Sequence, residues 1–364
     1  MVPPYSDGSK CLVRELCSHL KGVVPHVLGT EVVARDLGPR AISHAVYGNA
    51  GRFSPALQQN IRAALWMLLR SKAELWHFVF APNLRSSQVG RALRRLRSVP
   101  TVQTIASPPR DFSQANKLLF GDVVVAQSEW TRAQFAAVYN ENKLEPPPIF
   151  VIPPPAPPLS PPSAEAVARV KERLHVGNEQ EIFLYPGDLE VSQGAQRIVE
   201  WSKQIAQRVP AARVVVAYRE KTSQAENRAR ELRSQVDPKI VHFEKNVDDI
   251  HALISAATAV VFPVDDLYGK VDQPIVLLEA FRLGTPVLAL NQGPLASLRG
   301  AQLLSASASD WLNCIETVAQ RGELFQTLRA AGRAAVLENY DPDRIAHRYE
   351  ELYFSLLSGQ NSAF

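Results

Sequence analysis

One carboxylate, Glu279, interrupts an otherwise apolar run in KVDQPIVLLEAFRLGTPVLAL, residues 270–290. Asp272 precedes it by seven residues, so on one helix both acids would lie along one stripe, about 10 Å apart. Two interpretations are open. In the first, the stripe faces water and Glu279 pairs with Arg282, a contact worth about 0.2–0.5 kcal/mol. In the second, Glu279 accepts hydrogen bonds from vicinal hydroxyl groups such as those of ribose, at about 1.5–3 kcal/mol per bond.

The local pattern predicts that Glu279 lies on a helix followed by a strand. Asp272 suits the N-cap, and Pro274 suits the first turn, where a missing N–H costs nothing. Gly284 suits the left-handed position after the last helical residue, and Pro286 prevents the helix from continuing. The apolar residues between these limits cover most of the circumference, which is typical of a helix buried on several sides.

Cationic residues follow two predicted strands in the same half of the chain. Arg219 and Lys221 come directly after VVVAY, and Lys270 comes after AVVFPV. In parallel sheets the carboxyl ends of the strands and the helix N-termini beside them bind anions. The pattern therefore predicts a diphosphate near these cations and hydroxyl groups at Glu279; the alternative is that the cations are ordinary surface charges.

Composition excludes several classes of protein. The chain has 364 residues and 46% apolar content, but no apolar run approaches the roughly 20 residues that cross a bilayer. The first residues lack a basic region followed by an apolar core, so no signal peptide is expected. The three cysteines show no metal-binding spacing. We therefore expect a cytoplasmic protein without a metal site.

Positive charge is concentrated in the first part of the chain. Residues 1–148 contain 18 Lys and Arg against 10 Asp and Glu. Within RSSQVGRALRRLRS a helix is predicted that carries Arg91, Arg94, Arg95 and Arg97. This helix is either a solvated face or a peripheral contact with anionic lipid at the inner face of the membrane, or with a negatively charged acceptor. Nucleic acid is not expected as a partner, because the sequence contains no recognised binding module.

A proline-rich segment, EPPPIFVIPPPAPPLSPPS, divides two regions in which strands and helices alternate. Val-rich strands separated by helices indicate parallel sheets covered on both faces. The predicted fold class is α/β, with two Rossmann-like, doubly wound parallel-sheet domains facing a cleft. The predicted parts are a first domain (1–148), a linker (149–163) containing one short edge strand, a second domain (164–340) and a C-terminal helix returning to the first domain (341–364).

The signature VDQPIVLLEAFRLGTPVLAL resembles that of the retaining glycosyltransferases of family 4, also called group 1, which have the GT-B fold. Three other segments are similar to parts of that family: EIFLYPGDLEVSQGAQRIVEW, VDDIHALISAATAVVFPV and YDPDRIAHRYEELYFSLL. The resemblance implies transfer of a hexose from a nucleoside diphosphate sugar to an acceptor hydroxyl, with retention of configuration and without a required cofactor. It also implies that residues 1–148 form the acceptor-side domain and residues 164–340 the nucleotide-sugar-binding domain. The implied acceptor is a saccharide or lipid-linked, in surface polysaccharide or glycolipid synthesis.

The resemblance assigns roles to individual positions. Glu279 matches the glutamate that typically holds the ribose hydroxyls, and Gly187 lies in the loop that opens the donor domain. Gly8 and Ser9 match a loop near the acceptor or the donor phosphate, and Ser128 matches a serine that ends a strand. No catalytic base is identified, since the donor's own β-phosphate oxygen accepts the acceptor proton in that family.

The sequence also departs from the family pattern. Val271 replaces the first glutamate of the signature, although Lys270 or Asp272 is close enough to take over its contacts. Asp188 and Gln193 replace the arginine and lysine that clamp the donor diphosphate. An acid at a phosphate clamp is unfavourable by Coulomb's law, so Arg219, Lys221 and Lys270 are the candidate replacements.

Two further departures concern the first domain. Ala106 stands where many relatives have a histidine; His77 is a nearby substitute, although a lone histidine on an aromatic strand is more often structural. Only Met1 and Val2 remain of the expected first strand, so we expect the annotated start to lie downstream of the true one.

These departures leave a rival hypothesis open, namely a catalytically degenerate GT-B-like binding or regulatory protein. A GT-B phosphorylase or epimerase is a weaker third alternative.

Overall fold

The computed structural model describes residues 8–48, 57–177, 179–220 and 224–359. The chain divides into two compact units. Unit 1 comprises Met1–Pro157, Tyr268–Ile275 and Tyr340–Phe364, and unit 2 comprises Pro158–Leu267 and Val276–Asn339.

Unit 1 contains six of the described strands and six of the described α-helices. The strands are β1 (His26–Gly29), β2 (Ile42–Ala45), β3 (Trp76–Phe80), β4 (Thr101–Ile105), β5 (Val123–Ala126) and β6 (Ile149–Val151). The helices are α1 (Gly8–His19), α2 (Leu57–Leu69), α3 (Leu84–Arg97), α4 (Ala115–Leu118), α5 (Glu129–Glu141) and the C-terminal α13 (Pro342–Ser358).

The strands of unit 1 form two parallel sheets. β1 and β2 make a two-stranded sheet, and β3–β4–β5–β6 make a four-stranded sheet in that order. The strand β6 lies at the edge of the second sheet, within the proline-rich segment. This position confirms the predicted edge strand and agrees with the exclusion of proline from sheet interiors.

The C-terminal helix α13 packs into the core of unit 1. Its Ile345, Tyr349 and Leu352 are buried against α1 and against β4 and β5. The Glu350 carboxylate accepts hydrogen bonds from the N–H groups of Lys21 and Gly22 at 2.5 and 2.6 Å, just beyond the end of α1. Apolar packing and this charge-assisted cap together fix the helix on unit 1.

Unit 2 has a single six-stranded parallel sheet with helices between its strands. The strand order is β12–β11–β10–β7–β8–β9. The strands are β7 (Glu181–Pro186), β8 (Ala212–Tyr218), β9 (Val241–Lys245), β10 (Ala259–Phe262), β11 (Val287–Leu290) and β12 (Gln302–Leu304). The helices are α6 (Ala164–Arg173), α7 (Gly194–Arg208), α8 (Ala225–Arg233), α9 (Ile250–Ala256), α10 (Ile275–Leu283), α11 (Ala308–Ala319) and α12 (Glu323–Asn339).

The structure confirms the α/β class with parallel sheets, but some predicted elements are wrong. The sequence HVLGTEVVARD, residues 26–36, predicts one strand, but the strand ends at Gly29 and a 3-10 helix, Glu31–Arg35, follows it. The sequence pattern also missed β2, α4 and β12. All three are short, so each carries too few residues for a clear period.

Helix α10 is buried on several sides, as predicted. Leu277, Leu278 and Ala280 are inaccessible to solvent, and Gly284 has φ +76° after the last turn. The predicted N-cap is wrong, because α10 begins at Ile275, three residues after Asp272. The carboxylate of Asp272 has another partner, described below.

The packing of α12 against α10 leads to a stability prediction for Gly332. Replacing a helical glycine by alanine ordinarily stabilises a protein by about 0.5–1 kcal/mol. Here a Cβ would lie 2.8 Å from the Phe281 ring of α10. We expect Gly332→Ala to lower the free energy of unfolding by about 1–3 kcal/mol in denaturant titrations. The exposed control Thr327→Ala, on the same helix, should preserve stability; equal stability of the two variants would contradict this packing.

Candidate functional site

In unit 2, Glu279 of α10 contacts a histidine from a neighbouring helix. Its Oε1 lies 3.3 Å from Nε2 of His251, and the Glu279 side chain is only 16% exposed. The first interpretation of the sequence, an exposed Glu279 paired with Arg282, does not describe this contact. The carboxylate is instead held within unit 2 by α9.

His251 is a residue that the sequence analysis missed. It lies in the first turn of α9, where the Asp249 carboxylate caps the helix by accepting a hydrogen bond from the N–H of Ala252 at 2.9 Å. The hydrogen bond to Glu279, and to a smaller extent the charges of Glu279 and Asp249, raise the pKa of His251. The available signal was the capping aspartate, four residues after the end of strand β9, which places the next residues at the carboxyl end of the sheet.

Between β7 and α7, the chain uses its own carboxylate to bind the loop N–H groups. Asp188 is buried, and its Oδ1 accepts hydrogen bonds from the N–H groups of Glu190, Val191 and Ser192 at 3.1, 2.7 and 3.4 Å. The Tyr185 hydroxyl donates to the Asp188 carbonyl at 2.8 Å. An acid therefore stands where the resemblance expects an arginine. Its carboxylate already binds the loop N–H groups that could otherwise donate to a bound anion.

A second carboxylate, that of Asp265, occupies the start of helix α7. Asp265 Oδ1 accepts a hydrogen bond from the Gln193 N–H at 2.9 Å, and Oδ2 accepts one from Arg197 at 3.0 Å. Arg197 also donates to the Pro263 carbonyl at 2.8 Å. The positive end of α7 is thus neutralised by residues of unit 2 itself.

The other predicted donor residues of unit 2 fall at the ends of strands. Arg219 directly follows β8 and is exposed, whereas Lys221 lies outside the described residues. Gly187 directly follows β7, and a Cβ there would lie 2.3 Å from the Tyr185 ring, so this position requires glycine.

In unit 1, Asp272 and Ser128 form a buried pair. The Ser128 hydroxyl donates to Asp272 Oδ2 at 2.6 Å, and it also accepts a hydrogen bond from the Thr131 N–H at the start of α5. The Asp272 N–H donates to Gln127 Oε1 at 3.3 Å. Burial raises the pKa of Asp272 to about 6, against the hydrogen bonds of Ser128 and Thr131, which lower it.

Gly8 also belongs to this part of unit 1. It is the first residue of α1, and a Cβ on it would lie 3.0 Å from the side chain of Val271. Ser9 follows it, and Lys270 is half-buried beside Val271. The structure therefore brings together Gly8, Val271, Asp272 and Ser128 in unit 1, and separately Glu279 and His251 in unit 2.

His77 has a structural role in unit 1. Its Nε2 lies 2.7 Å from the Thr104 hydroxyl, and its Nδ1 lies 2.7 Å from the Tyr353 hydroxyl of α13. Burial lowers the pKa of His77 to about 3, so the ring is neutral at physiological pH. Both ring nitrogens are engaged, which weakens the predicted contact with an acceptor.

Three arginines of α3 use their guanidinium groups to bind main-chain carbonyl groups of unit 1. Arg91 donates to the carbonyl groups of Lys117 and Leu119, and Arg94 to that of Phe120. Arg97 donates to the Ser71 carbonyl. Within the part of the chain that the structure describes, no group of three or more His, Cys, Asp or Glu side chains suits a metal ion, and no helix is long and apolar enough to cross a bilayer.

Comparison with known proteins agrees with this architecture. Residues 180–320 match the family model described as "Glycosyl transferases group 1". HepE of Anabaena, solved with UDP and glucose, is 15% identical, with a TM-score of 0.73 over 97% of this chain and 98% of that one. The glycosyltransferase of Rickettsia africae is 16% identical, with a TM-score of 0.73 over 100% and 98% of the chains. The fold is GT-B.

A third match of similar fold comes from Candida albicans. The N-terminal domain of trehalose-6-phosphate phosphatase of Candida albicans is 11% identical, with a TM-score of 0.74 over 100% of this chain and 95% of that one. No curated protein matches the sequence. At these identities the structures establish the GT-B fold, and activity must be argued from the site.

The Asp272–Ser128 pair predicts a specific dependence of stability on pH. Because the pKa of Asp272 is raised on folding, the folded state binds a proton more tightly than the unfolded state between about pH 4 and 6. The stability that this proton contributes is lost as pH rises through that window, by up to about 1.4 kcal/mol per pH unit. Denaturant unfolding of Asp272→Asn should lack this loss.

Ser128→Ala provides the second arm of the experiment. It removes a hydrogen bond that favours the charged carboxylate, so the pKa of Asp272 should rise further and the window should extend above pH 6. Identical pH profiles for the wild-type protein and Asp272→Asn would show that the carboxylate is not buried as described.

Proposed function

We propose that the protein is a retaining glycosyltransferase that moves a hexose from a nucleoside diphosphate sugar to an acceptor hydroxyl. The acceptor would be a saccharide or a lipid-linked saccharide in surface polysaccharide or glycolipid synthesis, and the enzyme would act in the cytoplasm, at the inner face of the membrane. The group 1 match over residues 180–320 supports glycosyl transfer. The UDP and UDP-glucose bound to HepE support a uridine diphosphate sugar as the first donor to test.

The observation that carries this proposal is the Glu279–His251 contact. A carboxylate oxygen accepts more than one hydrogen bond, so Glu279 can accept from ribose hydroxyls while His251 holds its orientation. A carboxylate fixed in advance loses less entropy when the ligand binds. The position of Glu279, on the helix that follows the central strand β10, is also where ligands bind in open parallel sheets.

The phosphate groups of the donor need cations outside the β7–α7 loop. Because Asp188 and Asp265 accept the N–H groups of that loop, a diphosphate placed there would meet two carboxylates. Arg219, which directly follows β8, is the proposed replacement, with Lys221 as a further candidate. Lys270 lies in unit 1 and stays a candidate from the sequence alone. Asp272, the sequence candidate for contacts to the transferred sugar, has its carboxylate bound to Ser128.

The proposed reaction breaks the bond between the anomeric carbon and the β-phosphate oxygen, and forms a bond from that carbon to the acceptor oxygen on the same face. The acceptor proton moves to the departing diphosphate. Negative charge grows on the diphosphate, so the guanidinium of Arg219 would stabilise the transition state. This scheme uses no required cofactor and assigns no protein residue as the base.

The ribose role of Glu279 predicts a loss of nucleotide binding in Glu279→Ala. Removing a charged acceptor should weaken UDP binding by about 10- to 100-fold in calorimetry, with a parallel loss of glycosyl transfer. His251→Ala should cause a smaller loss, because it frees the carboxylate without removing it. The control Glu323→Ala removes an exposed carboxylate from unit 2 and should bind as the wild-type protein does; wild-type UDP affinity in Glu279→Ala would reject the role.

The proposed phosphate role of Arg219 makes a second, separable prediction. Arg219→Gln should weaken binding of UDP by about three- to tenfold, within the range of one charge-assisted hydrogen bond at an exposed site. Binding of uridine, which has no phosphate, should not change. Equal losses for UDP and uridine would indicate that Arg219 supports the fold of the site instead of the diphosphate.

A second candidate function is a catalytically degenerate GT-B-like binding or regulatory protein. The carboxylates of Asp188 and Asp265 on the β7–α7 loop favour it specifically, since they oppose a bound diphosphate. Calorimetry of the wild-type protein with UDP and GDP separates the two candidates. Heat of binding with either nucleotide supports the transferase, and none with both supports the degenerate protein.

A further inference from the structure

Helix α2 of unit 1 presents an apolar stripe to solvent. Leu57, Ile61, Leu65 and Leu69 are 72, 50, 50 and 73% exposed. Residues four apart on a helix advance by about 40°, so these four side chains cover one arc of roughly 120° along the full length of α2. Single exposed leucines are ordinary, but a continuous stripe on one helix is the pattern of a binding surface.

The opposite face of α2 is the one that packs on unit 1. Ala63 is buried, and the Trp66 ring lies 4.4 Å from the ring of His44 in β2. The Arg97 side chain of α3 donates to carbonyl groups of Leu68 and Ser71 at the end of α2. The helix is therefore held in place from behind, and its apolar stripe is directed outward by the fold.

The surroundings of the stripe are strongly cationic. Between residues 57 and 97 the chain has eight Arg and Lys and a single acid, Glu74. Arg62, Arg70 and Lys72 are exposed on or directly after α2. An amphipathic helix with an apolar stripe and cationic neighbours is the arrangement that lies in the head-group region of an anionic bilayer.

We propose that α2 docks unit 1 on an anionic lipid surface, with Leu57, Ile61, Leu65 and Leu69 inserted among the lipids. Arg62, Arg70 and Lys72 contact the phosphate groups around them. The sequence analysis placed a possible lipid contact on α3, whereas the proposed surface is on α2. Three of the four arginines of α3 named for that contact donate to main-chain carbonyls. The α2 surface is also independent of the proposed catalytic activity.

Charge decides between a bilayer and a second copy of the chain. A symmetric dimer through α2 would bring the exposed Arg62, Arg70 and Lys72 of two copies together, and Glu74 is the one acid between residues 57 and 97. An anionic bilayer neutralises the same charges. The occupant of matching chemistry is therefore the lipid surface.

Co-sedimentation with vesicles tests the proposal. The full-length protein should pellet with vesicles of phosphatidylcholine mixed with phosphatidylglycerol, and much less with phosphatidylcholine alone. High salt should reduce the bound fraction, since exposed charges are screened. Failure to bind the mixed vesicles, or equal binding to both kinds, would overturn the proposal.

Matched variants assign the binding to α2. Leu65→Gln combined with Leu69→Gln should lower vesicle affinity at least tenfold, and Arg62→Gln combined with Lys72→Gln should do the same on anionic vesicles only. The control Leu337→Gln changes a leucine of α12 in unit 2 that is 63% exposed, and should bind as the wild-type protein does. Wild-type vesicle binding by the leucine pair would refute the assignment.

Light scattering in the absence of lipid measures the molar mass of the protein, and so tests whether a second copy of the chain covers the stripe. A monomer supports the proposal. A dimer that Leu65→Gln and Leu69→Gln dissociate would assign the stripe to a second copy of the chain and contradict it. Thermal unfolding checks that each variant is folded, and since all four substituted positions are exposed, their melting temperatures should match that of the wild-type protein.

Discussion

The candidate site depends on one constraint, which is that a carboxylate on a largely buried helix needs a partner. Glu279 lies on α10 between residues that are inaccessible to solvent, and His251 supplies the partner from α9. Two helices that follow different strands, β9 and β10, are thereby joined by one polar contact at the same end of the sheet. The packing of α12 behind α10 fixes the other side of the helix, so the carboxylate has little freedom to turn away. A fixed acceptor at this place is what recognition of vicinal hydroxyls requires.

The β7–α7 loop shows the opposite arrangement. There the acceptors belong to the protein, and Asp188 and Asp265 hold N–H groups that would otherwise face an anion. The two acids stabilise the loop internally, so the loop keeps its form without a ligand. Asp188, one of the departures from the group 1 pattern, is therefore bound within the loop, and the N–H of Gln193, the other, is bound by Asp265. A diphosphate in unit 2 would need a cation elsewhere, such as Arg219 at the end of β8.

Much of the fold followed from the sequence, because long periodic segments and Val-rich strands carry a strong signal. The parallel sheets, helix α10, the Gly284 cap and the edge strand β6 were all predicted correctly. The failures involve contacts that are distant in sequence. Asp272 looked like an N-cap on local rules, whereas Ser128, 144 residues away along the chain, holds its carboxylate. His251 was missed for the same reason, since its contact with Glu279, 28 residues away along the chain, is not visible in the residues that flank it. For His77 the sequence left an acceptor contact and a structural role open, and the fold shows that Thr104 and Tyr353 engage both of its nitrogens.

The central claim is that the Glu279 carboxylate accepts hydrogen bonds from the ribose hydroxyls of a nucleotide. The most direct test is a thermodynamic cycle that combines removal of the hydroxyls from the ligand with removal of the carboxylate from the protein. UDP and its 2′,3′-dideoxy analogue are titrated by calorimetry into the wild-type protein and into Glu279→Ala. The account predicts that loss of the two hydroxyls weakens binding to the wild-type protein by about tenfold or more, and changes binding to the variant little. If both proteins lose the same affinity when the hydroxyls are removed, or if the wild-type protein loses none, Glu279 does not contact the ribose and the account is contradicted.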